Sequence, residues 1–417
     1  MATPQKLIYG TWTQSVAPLA IASLAGLGLG QAWDFDAVAT SHGGLAFVLA
    51  WLLCMALLAL PLRLLEIMLG RRSRRGLIEG MAFLTREADA PRYWRAAAWG
   101  GLLATLPVMT GLALLAGWGF SFFGHRLLNP VIYTAHNAGL EWPLATGGAL
   151  LIAGLLSWLG MVRAASIHLV ASAVVLLLLI GADVPGVVAA GPVLQSFNGP
   201  PLTASGWIEA ARIALLSVGG GLGVLWLVGA YLPPARRPGG VALPAVLVQI
   251  LLTLMVGLGV APVAQLAATL PGSSLIYEQL PAALTNRSTL ALPLFSALGI
   301  CAIAALAVVG EVGKLFLKER GLKGITAVLL TFALPAVAAE GIWFGGASAL
   351  AHGLLTGSRL LLLLVLLVLT VYGGWVMKIS HARKELELPS EALYNLWRVA
   401  VRILCPLVII LVLVASL

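Results

Sequence analysis

The residues of this chain that could do chemistry are few, and nearly all lie in apolar surroundings. Two apolar stretches are interrupted by glycine clusters, Gly26-Leu27-Gly28-Leu29-Gly30 and Gly219-Gly220-Gly221-Leu222-Gly223. Arg63 and Glu66 share another such stretch, three residues apart and therefore on one helix face. Glu311 lies near the end of a further one, and Asp34 and Asp36 close the first. Glycine is the poorest helix former after proline, so a cluster of it invites local unwinding. Inside a bilayer, unwound backbone is tolerated only where its freed N–H and C=O groups line a cavity. Buried ionisable side chains there are costly and point to function by default. Plainer readings stand beside these: glycines also allow close helix packing, Arg63 and Glu66 could satisfy each other, and Glu311 could reach the interface.

The elements that must position these groups are membrane helices. Of 417 residues, 60% are hydrophobic and 10% charged, and the mean hydropathy is +1.00. A soluble domain of that composition could not cover its surface. Stretches of about 20 apolar residues, each long enough to cross ~30 Å of hydrocarbon, follow one another along the chain. Eleven spans are expected, near 13–35, 44–69, 96–124, 143–160, 164–183, 206–231, 241–268, 289–317, 323–339, 347–377 and 392–416. Twenty of the 25 Lys and Arg residues fall at joints on one side, four (Arg126, Arg212, Arg287 and Arg359) on the other, and Arg63 inside a span. The positive-inside rule then puts the N-terminus in the cytoplasm and the C-terminus outside. The net charge of +9 is explained by these joints and implies no nucleic-acid partner.

The two glycine-broken spans are the first and the sixth, corresponding members of two five-helix halves. Matched broken helices are the best sequence pointer to a transporter's binding site. Neither cluster is followed by Lys-Ser/Thr, so a nucleotide-binding loop is excluded. Cys54, Cys301 and Cys405 lie inside spans without CxxC spacing. No Ser/His/Asp, paired-carboxylate or metal-ligand constellation suggests an enzyme.

Several motifs together resemble the neurotransmitter:sodium symporter family. They are Gly28-Leu29-Gly30, Gly43-Gly44-Leu45-Ala46-Phe47 and the stretch Pro61 to Arg71 with Glu66 and Gly70. Gly206-Trp207-Ile208 leads on to Gly221-Leu222-Gly223 and Tyr231, and Trp397-Arg398 runs through Arg402 to Pro406. The resemblance implies an all-α polytopic membrane protein of LeuT-type fold. It would be a 5+5 inverted repeat plus one helix, eleven transmembrane helices in all, with helices 1 and 6 broken. Residues 1–417 would form one transporter domain, with repeats at about 13–183 and 206–377 and the extra helix at 392–416.

The family's first sodium site, carried over, falls on Gln31, Ser217 and Gln249. All three are oxygen donors, but both amides are one methylene longer than the family's Asn. The second site's hydroxyls fall on Ala304 and Ala305, which offer none. Substrate-lining positions fall on Gly26, Gly28, Gly30, Val108, Leu112, Leu216, Gly219, Gly221, Leu222 and Val309, an apolar pocket without aromatics. Gating or coupling positions fall on Asp34, Arg63, Glu66, Tyr231, Glu311 and Glu319, and Tyr9 stands where the inner gate's Arg would be. Thr253, Trp51 and Ile213 at the chloride positions imply no chloride site. The expected function is secondary transport of an amino acid or related small organic solute with altered or lost sodium coupling, in the cell (inner) membrane. No cofactor is expected, sodium being in doubt. A non-transporting sensor or a partner membrane subunit that keeps the fold is the alternative.

Overall fold

The computed structural model describes residue 20 and residues 35–128, 139–189, 199–267, 288–344 and 348–416. Regular structure among them is helical. In chain order the helices are α1 (Phe35–His42), α2 (Leu45–Ser73), α3 (Leu77–Glu87), α4 (Ala96–Leu128), α5 (Glu141–Trp158), α6 (Met161–Ala189) and α7 (Ala204–Ser217). There follow α8 (Val224–Tyr231), α9 (Gly239–Ala267), α10 (Ser288–Glu319), α11 (Gly324–Phe344), α12 (Ser348–Val371), α13 (Ile379–Leu386) and α14 (Glu391–Ala415). Eight helices among the described residues are long and apolar enough to cross a membrane, which makes this a multi-pass membrane protein. They coincide with the expected spans two, three, five and seven to eleven. Span four is α5, span six is α7 with α8, and span one, apart from residues 20 and 35, lies outside the described residues.

Helix α10 sits at the centre, packed against α4 and α6. Burial separates it from the periphery: 78% of its most apolar stretch is inside the protein, against 28% for α11 and α14. The outward Leu and Val side chains of those two helices suit a lipid-facing surface. The second half of α2 packs on α8, and its first half on α7.

Two helices are deformed where proline removes a ladder hydrogen bond. Pro61 lacks the N–H that would reach Leu57, and a π-helical turn spans Met55–Ala59. The thiol of Cys405, 4.0 Å away, faces the freed Leu57 carbonyl. Pro406 likewise leaves the Arg402 carbonyl open beside the π turn Ala400–Leu404, and Trp375 Nε1 donates to it at 3.0 Å. The Arg402 guanidinium lies 3.8 Å from the centre of the same indole.

Polar segments that read as joints in the sequence include two amphipathic helices, α3 and α13, at the basic end of the bundle. Ion pairs knit them to α2: Arg72 with Glu87 and Glu385, and Arg71 with Glu385 and Glu387.

Candidate functional site

Span six is broken at its glycine cluster. Helix α7 ends at Ser217 and α8 begins at Val224. Between them Gly219, Gly221 and Gly223 adopt φ of 62°, 82° and 83°, a left-handed region that side chains with a Cβ rarely occupy. The break opens the first-turn N–H groups of α8, which no local side chain caps. Glu66 of α2, only 1% exposed, accepts from one of them and from one N–H of the break itself. Its Oε2 accepts from Gly221 N at 2.9 Å and its Oε1 from Trp226 N at 3.4 Å. A carboxylate at a helix N-terminus is also favoured by the helix dipole.

The two helices can come this close because each places a glycine against the other's backbone at the α2–α8 crossing. A Cβ at Gly70 would stand 1.9 Å from the Trp226 carbonyl oxygen, and one at Gly229 2.0 Å from that of Ile67.

Arg63 does not pair with Glu66. Its fully buried guanidinium points instead to α7 and α9. Nη2 donates to Gln249 Oε1 and, at 3.3 Å, to the Ser217 carbonyl oxygen. Gln249 Nε2 donates to that same carbonyl at 2.9 Å. The Ser217 hydroxyl turns away, donating to Ala214 O at 2.8 Å with Met55 Sδ at 3.6 Å. Ser217 and Gln249, two positions of the sequence-inferred cation site, are thus brought together with Arg63 between them. Gln31 lies outside the described residues. Nε and Nη1 of Arg63, and Nε1 of the buried Trp51, find no partner among the described residues.

Leu112, Leu216, Leu222 and Val309 are buried, and Val108 is partly buried; they lie on α4, α7, the break and α10 and belong to the main apolar core of the bundle. Gly26, Gly28, Gly30, Asp34 and Tyr9 lie outside the described residues. Ala304 and Ala305 are buried within α10. Tyr231 closes α8. Glu319, at the end of α10, accepts from Gly76 N at 2.9 Å, at the start of α3.

Glu311 is not open to solvent. It is buried and forms an ion pair with Lys314, one helical turn on, whose ammonium also donates to the Ser157 carbonyl at 2.7 Å. Lys314 reads in the sequence as an ordinary basic residue at a span end. The nearby carboxylate at i−3 was the signal that it stays inside. Arg71 and Arg74, also read as topology markers, donate to backbone carbonyls of the α8–α9 region: Arg71 to Pro234 O at 3.0 Å and Arg74 to Ala230 O at 3.3 Å.

No protein-family model matches the chain. Among curated proteins it is 26% identical over 295 residues to the uncharacterized sodium-dependent transporter YhdH of Bacillus subtilis, covering 65% of this chain and 63% of that one. It is 29% identical over 114 residues to an uncharacterized sodium-dependent transporter of Haemophilus influenzae, covering 27% and 25%. The matches therefore span less than two thirds of either relative. The crystal structure of MhsT in complex with L-phenylalanine superposes with a TM-score of 0.82 at 19% identity, over 98% of this chain and 100% of that one. The chain thus shares the fold of MhsT from end to end and is similar in sequence, over part of its length, to two sodium-dependent transporters, in agreement with the resemblance noted in its sequence.

Proposed function

We propose that this protein is a secondary transporter of an amino acid or related small organic solute, with sodium coupling altered or lost. The observation that carries the reading is the opened backbone at residues 218–223. It lies inside an apolar bundle, is held by Glu66, and belongs to the same buried core as Leu112, Leu216, Leu222 and Val309, the positions that the resemblance assigns to the solute's lining. Irregular backbone at such depth is tolerated where it lines a binding cavity. Apolar lining favours a solute with an apolar side chain, and MhsT in complex with L-phenylalanine has the same fold. In this reading the basic end faces the cytoplasm and the C-terminus lies outside. A reporter fused after Leu417 that works only in the cytoplasm would then stay silent, and a strong signal from it would reverse the orientation.

The test of transport is uptake by the purified full chain in proteoliposomes, against a panel of amino acids including L-phenylalanine, with and without sodium and pH gradients. Saturable uptake of an apolar amino acid is expected, with little dependence on the sodium gradient. Absence of both uptake and binding across the panel would overturn the reading. Binding without uptake would support the alternative, a sensor or partner subunit on a transporter fold. The favouring observation for that alternative is the fixed side-chain cation, Arg63, at the place a coupling ion would use.

A further inference from the structure

Resting on the transporter reading and deepening it, we infer that the Arg63 guanidinium is the resident cation of this site, held on α2 where the resemblance would put a travelling sodium ion. The family-derived ligand positions are Gln31, Ser217 and Gln249, and the two that the structure describes are both engaged by Arg63. Its Nη2 donates to Gln249 Oε1 and to the Ser217 main-chain oxygen. These are the oxygens that helices six and seven of the fold could turn toward an ion.

The orientation of the Gln249 amide follows from its partners. Its NH2 donates to the Ser217 carbonyl at 2.9 Å, leaving its oxygen for the guanidinium. A flipped amide would set NH2 against guanidinium and oxygen against carbonyl, two repulsive contacts. Both oxygens are therefore committed to a positive group. The Ser217 hydroxyl, the remaining side-chain ligand, donates to Ala214 O instead of facing the amide.

A sodium ion needs several oxygens converging at short range. It would have to displace a guanidinium that cannot leave, because it is covalently carried by α2 and fully buried. It would also meet that group's charge at close quarters in a medium that screens poorly. Arginine stays protonated in proteins, so the site keeps one positive charge whatever the surrounding salt. No carboxylate forms an ion pair with Arg63 among the described residues. Two of its nitrogens, Nε and Nη1, which carry three of its five N–H groups, find no partner there either, a costly arrangement for a side chain kept only for stability. The charge itself is what the position supplies. It ties α2, α7 and α9 together at the break, as a bound ion would, but without leaving during a cycle.

The experiment measures the thermal midpoint of the purified full chain in sodium chloride against N-methyl-D-glucamine chloride at equal ionic strength. It compares the wild type with Arg63→Gln, Arg63→Lys and Gln249→Leu. The wild type and Arg63→Lys, which both carry a fixed cation, should melt identically in the two salts. Arg63→Gln removes the charge and adds an oxygen, so it should gain a saturable, sodium-specific upward shift of about 2 °C at tenfold excess over its dissociation constant. A saturable sodium shift in the wild type that Gln249→Leu abolishes would overturn the inference. So would a folded, monodisperse Arg63→Gln protein that gains no sodium response. Should Arg63→Gln fail to fold, the wild-type and Gln249→Leu titrations decide alone. Because the readout is the ion's effect on stability, it stands apart from the uptake panel, where a failure would count against transport alone.

Discussion

Replacing Glu66 tests whether its carboxylate holds the break between α7 and α8 open in one geometry. The two bonds it accepts are unequal: Gly221 N at 2.9 Å and Trp226 N at 3.4 Å. A bond to a charged group contributes about 1.5–3 kcal/mol, and a buried N–H left without a partner costs about 1–3 kcal/mol. Glu66→Gln keeps one oxygen, which would settle on the shorter contact, and forfeits only the longer one. Its expected cost is about 1 kcal/mol. Glu66→Leu removes both acceptors and leaves two N–H groups buried beside an apolar side chain, for an expected cost of about 3–5 kcal/mol. The informative quantity is the difference, roughly 2 kcal/mol or more. Reversible unfolding in mixed micelles, followed by tryptophan fluorescence, measures it, since Trp226 is itself buried on α8. If the leucine and glutamine variants prove equally stable, Glu66 is not capping α8 and the account of the break fails.

Three further outcomes follow from other contacts. Gly229→Ala places a methyl group 2.0 Å from the Ile67 carbonyl. It should force α8 off α2 and cost about 1–3 kcal/mol, whereas Gly240→Ala, which meets nothing, should cost little; similar losses in the two would refute the close crossing. Lys314→Met should destabilise by about 3–5 kcal/mol by stranding Glu311, and the double change Glu311→Gln with Lys314→Met should recover most of that loss; additive costs in a double-mutant cycle would show that the two are not coupled. Glu87 is held below the usual glutamate range, first by its hydrogen bond from Arg72. Its contribution is present above the ordinary glutamate pKa and lost as pH falls through the lower folded value, because the unfolded chain takes the proton first. Stability of the wild type should therefore fall on acidification across that window, and Glu87→Gln should flatten the fall.

Much of the architecture was legible because membrane helices announce themselves by length and hydropathy, and because glycine at 219, 221 and 223 supplies the positive φ that a mid-span break requires. The partners of the charged residues were less legible. Spacing put Arg63 and Glu66 on one helix face, but a span packed on several neighbours divides even adjacent residues between them. Glu66 turns to α8, while Arg63 turns to α7 and α9. Sequence spacing records the angle about one helix and carries nothing of what stands opposite. Lys314 was misread for a related reason. A basic residue near a span end looks interfacial unless its own face of the helix is covered, as Lys314 is by the Ser157 carbonyl and Glu311 while Lys318 and Glu319 further on are exposed. The prolines 61 and 406 were visible in the sequence, but the π turns and the side chains of Cys405 and Trp375 that meet the freed carbonyls depend on the α2 and α12 neighbours of α14.

The basic end of α2 has a mechanical consequence. Arg71 grips the Glu385 carbonyl at 2.6 Å, Pro234 O and the Glu387 carboxylate, and Arg74 grips Ala230 O and Leu232 O. With Gly70 pressed on the Trp226 carbonyl, these attachments make α8, its following loop and α13 one stiff plate bolted to α2. A plate of this kind transmits displacement and does not absorb it. Any tilt of α2 must carry α8 with it at full amplitude, so compliance has to come from joints outside the plate. Helix α10 meets the turn after α2 through the Glu319–Gly76 contact, a joint that a water molecule could replace on either side. Movement at this end would therefore take the form of slip between α10 and the plate, with the plate itself keeping its shape.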